Sequence, residues 1–160
     1  MHSKFKKIAL VAKGRKGFMK KENEFIESIT NGLEAIALII RSKYDEPGIH
    51  FFTPANFSQQ VAYMKRPKTH KIPAHFHNIV ARQILYTQEV LVIRRGRVRV
   101  NLFSSEQQFV GERVLEAGDL ILLCGGGHSL EMLEESSMIE IKQGPYAGNN
   151  DKTIFEEECK

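Results

Sequence analysis

Residues 75–96, HFHNIVARQILYTQEVLVIRRG, carry two histidines one position apart and close on a strand-like run before a glycine turn. Side chains alternate faces along a strand, so His75 and His77 point the same way, about 6.5 Å apart over two rises of about 3.3 Å. That spacing lets two imidazoles reach one cation. Within Gln88-Glu89-Val90-Leu91-Val92-Ile93 the same alternation puts Glu89 in phase with Leu91 and Ile93. If those two face a core, the carboxylate faces it too, which is costly unless it is paired or bound to metal. The histidine pair is the best available partner.

Working outward, a two-residue period holds from Gly48 onward. Candidate strands fall at 49–53, 60–65, 74–79, 83–93, 97–103, 113–116, 119–123, 129–133 and 138–143, and turn residues such as Arg95-Gly96 and Ala117-Gly118 separate most of them. Many short strands at this spacing predict a mainly β chain, an antiparallel sandwich or barrel. Upstream the period changes. Phe25, Ile29, Leu33, Ile36/Ala37 and Ile40 recur at three- and four-residue steps, which predicts one amphipathic helix over 22–43. Gly32 weakens it by about 1 kcal/mol relative to alanine, and Asp45-Glu46-Pro47-Gly48 ends it with turn chemistry. The expected organisation is a basic arm at 1–21, the helix at 22–47, a barrel at 48–147 and an acidic tail at 148–160, with 156–158 solvated.

The 160 residues, 42% hydrophobic with five prolines, suit one globular domain. The net charge of +4 is unevenly spread: residues 1–21 hold eight Lys/Arg and no acid, and the other 139 hold 15 basic and 19 acidic residues. The arm reads as a solvated terminus rather than a nucleic-acid or membrane contact. Cys124 and Cys159 have no paired-thiol spacing, which excludes a disulfide framework and a thiolate zinc site. The apolar run after Lys6-Lys7 stops at Lys13, too soon for a signal peptide, and 33–40 is too short to span a bilayer. The expectation is a cytoplasmic protein without membrane contact. In Arg94-Arg95-Gly96-Arg97-Val98-Arg99-Val100 the arginines cover one outer strand face without interleaved aromatics, so no nucleic-acid partner is expected.

Taken together, these residues resemble the cupin superfamily of small β-barrels. Its first motif has a histidine pair, a glutamate and then a glycine, here His75, His77, Glu89 and Gly96. Its second runs from a glycine through a hydrophobic strand and a turn to a histidine, here Gly118-Asp119-Leu120-Ile121-Leu122-Leu123, then Cys124-Gly125-Gly126-Gly127-His128. Eleven residues separate His77 from Glu89, a longer gap than the family pattern, and the second motif lacks its proline and has Met132 where an asparagine usually stands. The resemblance covers about residues 48–147. It implies a jelly-roll barrel with His75, His77, His128 and Glu89 holding one divalent ion. Three imidazoles and a carboxylate suit Fe, Mn, Ni, Zn or Co and do not choose among them. Glu89 is otherwise an exposed or arginine-paired carboxylate.

The implied function is binding, turnover or sensing of a small polar metabolite, with a sugar or sugar nucleotide of surface-polysaccharide biosynthesis preferred. A metal-free sugar-nucleotide isomerase or epimerase, with His75 or His77 as general base, is the alternative, and a non-catalytic small-molecule binding module is the third. Tyr63, Arg82 and Tyr146 are candidate substrate-binding residues. Cys124 reads as a small buried hydrophobe, and Glu140 as solvent-facing by its alternation with Ile139 and Ile141. A homodimer is expected, because such barrels commonly pair and both the 25–40 stripe and outward Val90 and Val92 need cover.

Overall fold

The segment expected to be helical is a β-hairpin. The structure, a computed structural model, describes residues 23–157, so the basic arm lies outside the described residues. Strands β1 (Ile26–Asn31) and β2 (Glu34–Ile40) pair antiparallel, with Ile26 opposite Ile40 and Asn31 opposite Glu34. Gly32 takes the first of the two loop positions with φ of 59°, as in the hairpin turns whose twist matches that of the strands. Leu33, counted on the helical stripe, is fully exposed at this turn. The helical spacing misleads because β2 lies between β1 and β8 and is covered on both faces. Such a strand reads as a continuous apolar run rather than an alternation, and its β-branched isoleucines fit a pleated surface better than a helix.

The other strands are β3 (Gly48–Phe51), β4 (Ala62–Lys65), β5 (Glu89–Arg95), β6 (Arg97–Phe103), β7 (Phe109–Glu116), β8 (Leu120–Leu123), β9 (Gly127–Met132) and β10 (Ser137–Lys142). They form a five-stranded sheet in the order β1-β2-β8-β5-β10, a three-stranded sheet β7-β6-β9 and the hairpin β3-β4, with antiparallel pairings throughout. From β5 onward the chain passes repeatedly between the two larger sheets. Ile36, Leu91, Ile93 and Ile121 of the five-stranded sheet pack against Val98, Val100, Leu102 and Leu115 of the three-stranded one, all fully or almost fully buried. Two antiparallel sheets enclose one apolar layer.

The far face of the five-stranded sheet is also covered. Leu38, Val90, Leu122 and Cys124 pack with Tyr44 and Val61, and the Tyr44 ring meets Phe52 and Tyr63 edge-on with centroids 5.3 and 5.0 Å apart. Val90, expected to face outward and to need a second subunit, is 5% exposed within the single chain.

A polar clamp ties the hairpin to the β7–β8 turn. Asp119, buried, accepts hydrogen bonds from Arg41 Nη1 at 2.9 Å, the Ser42 amide at 2.8 Å and the Glu116 amide at 3.1 Å. Arg41 Nη1 also donates to the Val114 carbonyl at 2.8 Å, and Arg41 Nε to Glu27 at 2.9 Å. The arginine run on β6 lies among carboxylates: Arg97 between Glu116 and Glu134 at 3.6 and 3.8 Å, Arg99 between Glu112 and Glu131 at 3.9 and 2.5 Å.

Two strand expectations change. Residues 66–88 belong to no strand or helix, so the strand expected over 74–79 is not formed and the one expected over 83–93 starts at Glu89. No helix among the described residues is long and apolar enough to cross a membrane.

Candidate functional site

One strand start and one turn bring the central pair together. Glu89 opens β5, where it stands opposite Leu123 of β8 and Lys142 of β10. After β8 the chain turns at 125–127, with Gly126 at φ of 65°, and enters β9 on the other sheet. His128 therefore faces Glu89 across the end of the sandwich, with Nε2 3.3 Å from Oε2. Lys142 Nζ lies 3.5 Å from Glu89 Oε1, 3.2 Å from Glu140 and 3.6 Å from Asp151. The Tyr146 ring is under the same ammonium, 5.4 Å from it. Glu89 and Asp151 keep only 21% and 14% of their side-chain surface exposed, so these charges interact in a partly dry setting.

Hydrogen bonding to His128 is the largest influence on Glu89 and holds its carboxyl below the ordinary value of 4.5; the His128 and Lys142 charges add to this, and burial opposes it. A depressed folded pKa contributes stability that is present above the unfolded value and is lost as pH falls through the folded one. The stability difference between wild type and Glu89→Gln should therefore be largest above pH 4.5 and shrink below it. Urea titrations at several pH values check this, and a difference that grows on acidification would contradict it.

Glu89 and His128 line a cavity of about 610 Å³ at this end of the sandwich. Thr87, Ser105 and Ser129 add hydroxyls, and the chain from Asp151 to Glu157 forms one wall. That wall is pinned: Phe155 meets Phe103 edge-on with centroids 5.2 Å apart, and Asn101 Nδ2 donates to Glu157 at 3.3 Å. Glu156 and Glu157 are exposed, as expected of this tail, although Glu157 also lines the cavity; Glu158 lies outside the described residues.

The remaining candidates lie elsewhere. His75 and His77 sit exposed on the 66–88 segment with ring centroids 5.4 Å apart, and His75 Nδ1 is 2.9 Å from the Pro73 carbonyl oxygen. Two rings on one tetrahedral ion would stand at about this separation, given nitrogen–metal bonds of about 2.0–2.1 Å. Yet they are not among the residues lining the Glu89–His128 cavity, and no group of three or more His, Cys, Asp or Glu side chains that could hold a metal ion occurs among the described residues. The donors form two separate pairs, and Glu89 is answered by His128 and Lys142, so the four-donor set does not fit a shared ion in this arrangement. Tyr63, packed on the far face of the five-stranded sheet, donates to Asp45 at 3.0 Å. Arg82 is exposed on the 66–88 segment, 3.4 Å from the Val80 carbonyl oxygen. Tyr146 is exposed and reaches the site only through Lys142. Cys124 is buried, and desolvation pushes its thiol up to about 12, so it is an unreactive apolar filler.

Lys142 and Asp151 are site residues that the sequence reading passes over. Their signal lies in the register: Lys142 pairs with Glu89 only because β10 lies beside β5, which strand alternation alone does not show. Glu140, opposite Leu91, remains exposed while pairing with Lys142. The chain matches no family model, and neither a curated protein nor a solved structure is significantly similar to it.

Proposed function

We propose that the chain is a cupin-like β-barrel protein whose cavity takes a small polar metabolite, a sugar or sugar nucleotide being the preferred class, and that His128 moves a proton there. The observation that carries this reading is the 3.3 Å contact between His128 and Glu89 at the wall of a 610 Å³ cavity. A volume of this size suits a ligand of metabolite dimensions. The carboxylate fixes the orientation of the imidazole ring, and a positioned histidine is the commonest general base or acid. Nε2 faces Glu89, which leaves Nδ1 for the ligand. Ser105, Ser129 and Thr87 offer the hydroxyl donors and acceptors that a polyhydroxylated ligand needs. Lys142 holds Glu89 ionised and is a positioning residue.

The chemistry is proton abstraction next to a carbonyl, with His128 in the role first considered for His75 or His77. Solvent-deuterium incorporation into a panel of 4-keto sugar nucleotides, followed by NMR, tests it on protein without a polyhistidine tag. Wild type should exchange the proton beside the ketone, and His128→Asn should lose about 10²–10⁴ of that rate. His75→Ala should keep it. Exchange that persists in His128→Asn, or that disappears on chelation and returns with added metal, overturns this assignment. Binding without exchange would leave a non-catalytic binding module.

A further inference from the structure

The 66–88 segment is an unusual length of chain to leave outside any strand. Phe76, Ile79, Leu85 and Tyr86 are between 75% and 104% exposed, and Val80 is also open. Among the described residues, the backbone of 71–87 makes no hydrogen bond to another backbone group. A run rich in β-branched and aromatic residues is strand-forming when it finds an edge. The fold offers such an edge. β10 ends the five-stranded sheet, and its outward face shows Ile139 and Ile141, 44% and 51% exposed. Open edges bearing apolar side chains are ready templates for another strand.

We infer that residues 66–86 form an exchange arm that adds as a strand to the free β10 edge of a second copy of this chain, with Gln88, buried and bonded to Cys124 and Gln143, as its anchor. Charge identifies the occupant. Residues 47–88 contain five Lys/Arg and no Asp/Glu, whereas the rest of 23–157 contains nine basic and 17 acidic residues. Lys65 pairs with Asp45, while Arg66, Lys68 and Lys71 have no carboxylate partner among the described residues. A second copy presents both the acidic body and the apolar edge that such an arm fits. A two-fold axis lets each copy give one arm and receive one, so the arm and the β10 edge are covered in both copies. This surface differs from the one expected from the sequence, since Val90 is already covered within the chain.

Sedimentation equilibrium of the full chain tests this. The wild type should run at twice 18.3 kDa at concentrations of about tens of micromolar. An arm variant, Ile79→Asp with Leu85→Asp, and an edge variant, Ile139→Asp with Ile141→Asp, should each weaken association by about tenfold or more. Mixed one to one, they should recover a heterodimer, because one intact arm still meets one intact edge. Amide-exchange protection of 72–86 and 137–142 should also rise with wild-type concentration, a readout that needs no variant. A monomeric wild type, a dimer indifferent to both variants, a mixture that fails to recover, or protection independent of concentration overturns the inference. So does capture of a monomeric wild type by phosphatidylglycerol vesicles.

Discussion

Asp119→Ala is expected to lower the unfolding free energy by about 3–5 kcal/mol, the range for removing one partner of a buried ion pair. Three donors converge on this carboxylate: Arg41 Nη1 and the amides of Ser42 and Glu116. Deleting it leaves Arg41 without its deepest partner and two amides without acceptors, and the cost of unsatisfied groups exceeds the mean value of the bonds they made. The midpoint of thermal unfolding should fall by about 10 °C, at about 2–4 °C per kcal/mol for a chain of this size. Asp119→Asn, which keeps one acceptor and the shape, should lose about half as much. A loss below about 1 kcal/mol in urea titrations would show that the clamp is an exposed-type pair of little consequence.

Gly126→Ala is the second large effect, and it joins stability to the site. A Cβ at this position would stand 2.1 Å from the Phe103 carbonyl oxygen and 3.1 Å from Ile36 Cδ1. The backbone also holds φ of 65°, where a side chain costs about 1–3 kcal/mol, and overpacking adds about as much again. The collision is with main chain, which no rotamer change relieves. A total loss of about 2–6 kcal/mol is therefore expected. Because this turn sets His128 opposite Glu89, the proton exchange proposed for His128 should also be slower in Gly126→Ala protein that remains folded. Wild-type stability in this variant would mean that the β8–β9 turn has another conformation.

The sequence carried the β class clearly, because strands half-buried in a sandwich alternate, as β6 does with Val98, Val100 and Leu102 facing the core. It failed at β2 for the opposite reason, since a strand covered on both faces does not alternate and its apolar spacing imitates a helix. Asn31-Gly32 was the available correction, a hairpin signal within the segment taken as helical. At the site, the glycine turn before His128 was legible, because a positive-φ glycine and the strand it follows are local features. The partners of Glu89 were not, since Lys142 and Asp151 arrive through the pairing of β10 with β5 and the path of the tail. The same-face argument for His75 and His77 depended on a strand that the structure does not form there.

The sheet order has a consequence for how the chain is made. β2 is an inner strand and hydrogen-bonds β8, with Ala37 opposite Leu123, 86 residues later in the sequence. At about 5–20 residues per second of synthesis, the open side of the β1–β2 hairpin waits about 4–17 s for its partner to be made. Throughout that wait Leu38 and Ile39, both fully buried in the finished sheet, lack one of their neighbouring strands. Pairings this distant along the chain also slow refolding, because the loop must close before its contacts form. The nascent chain therefore needs its early hairpin shielded by a chaperone or by the ribosome surface, and a synthesis pause placed before β8 would lower the yield of native protein.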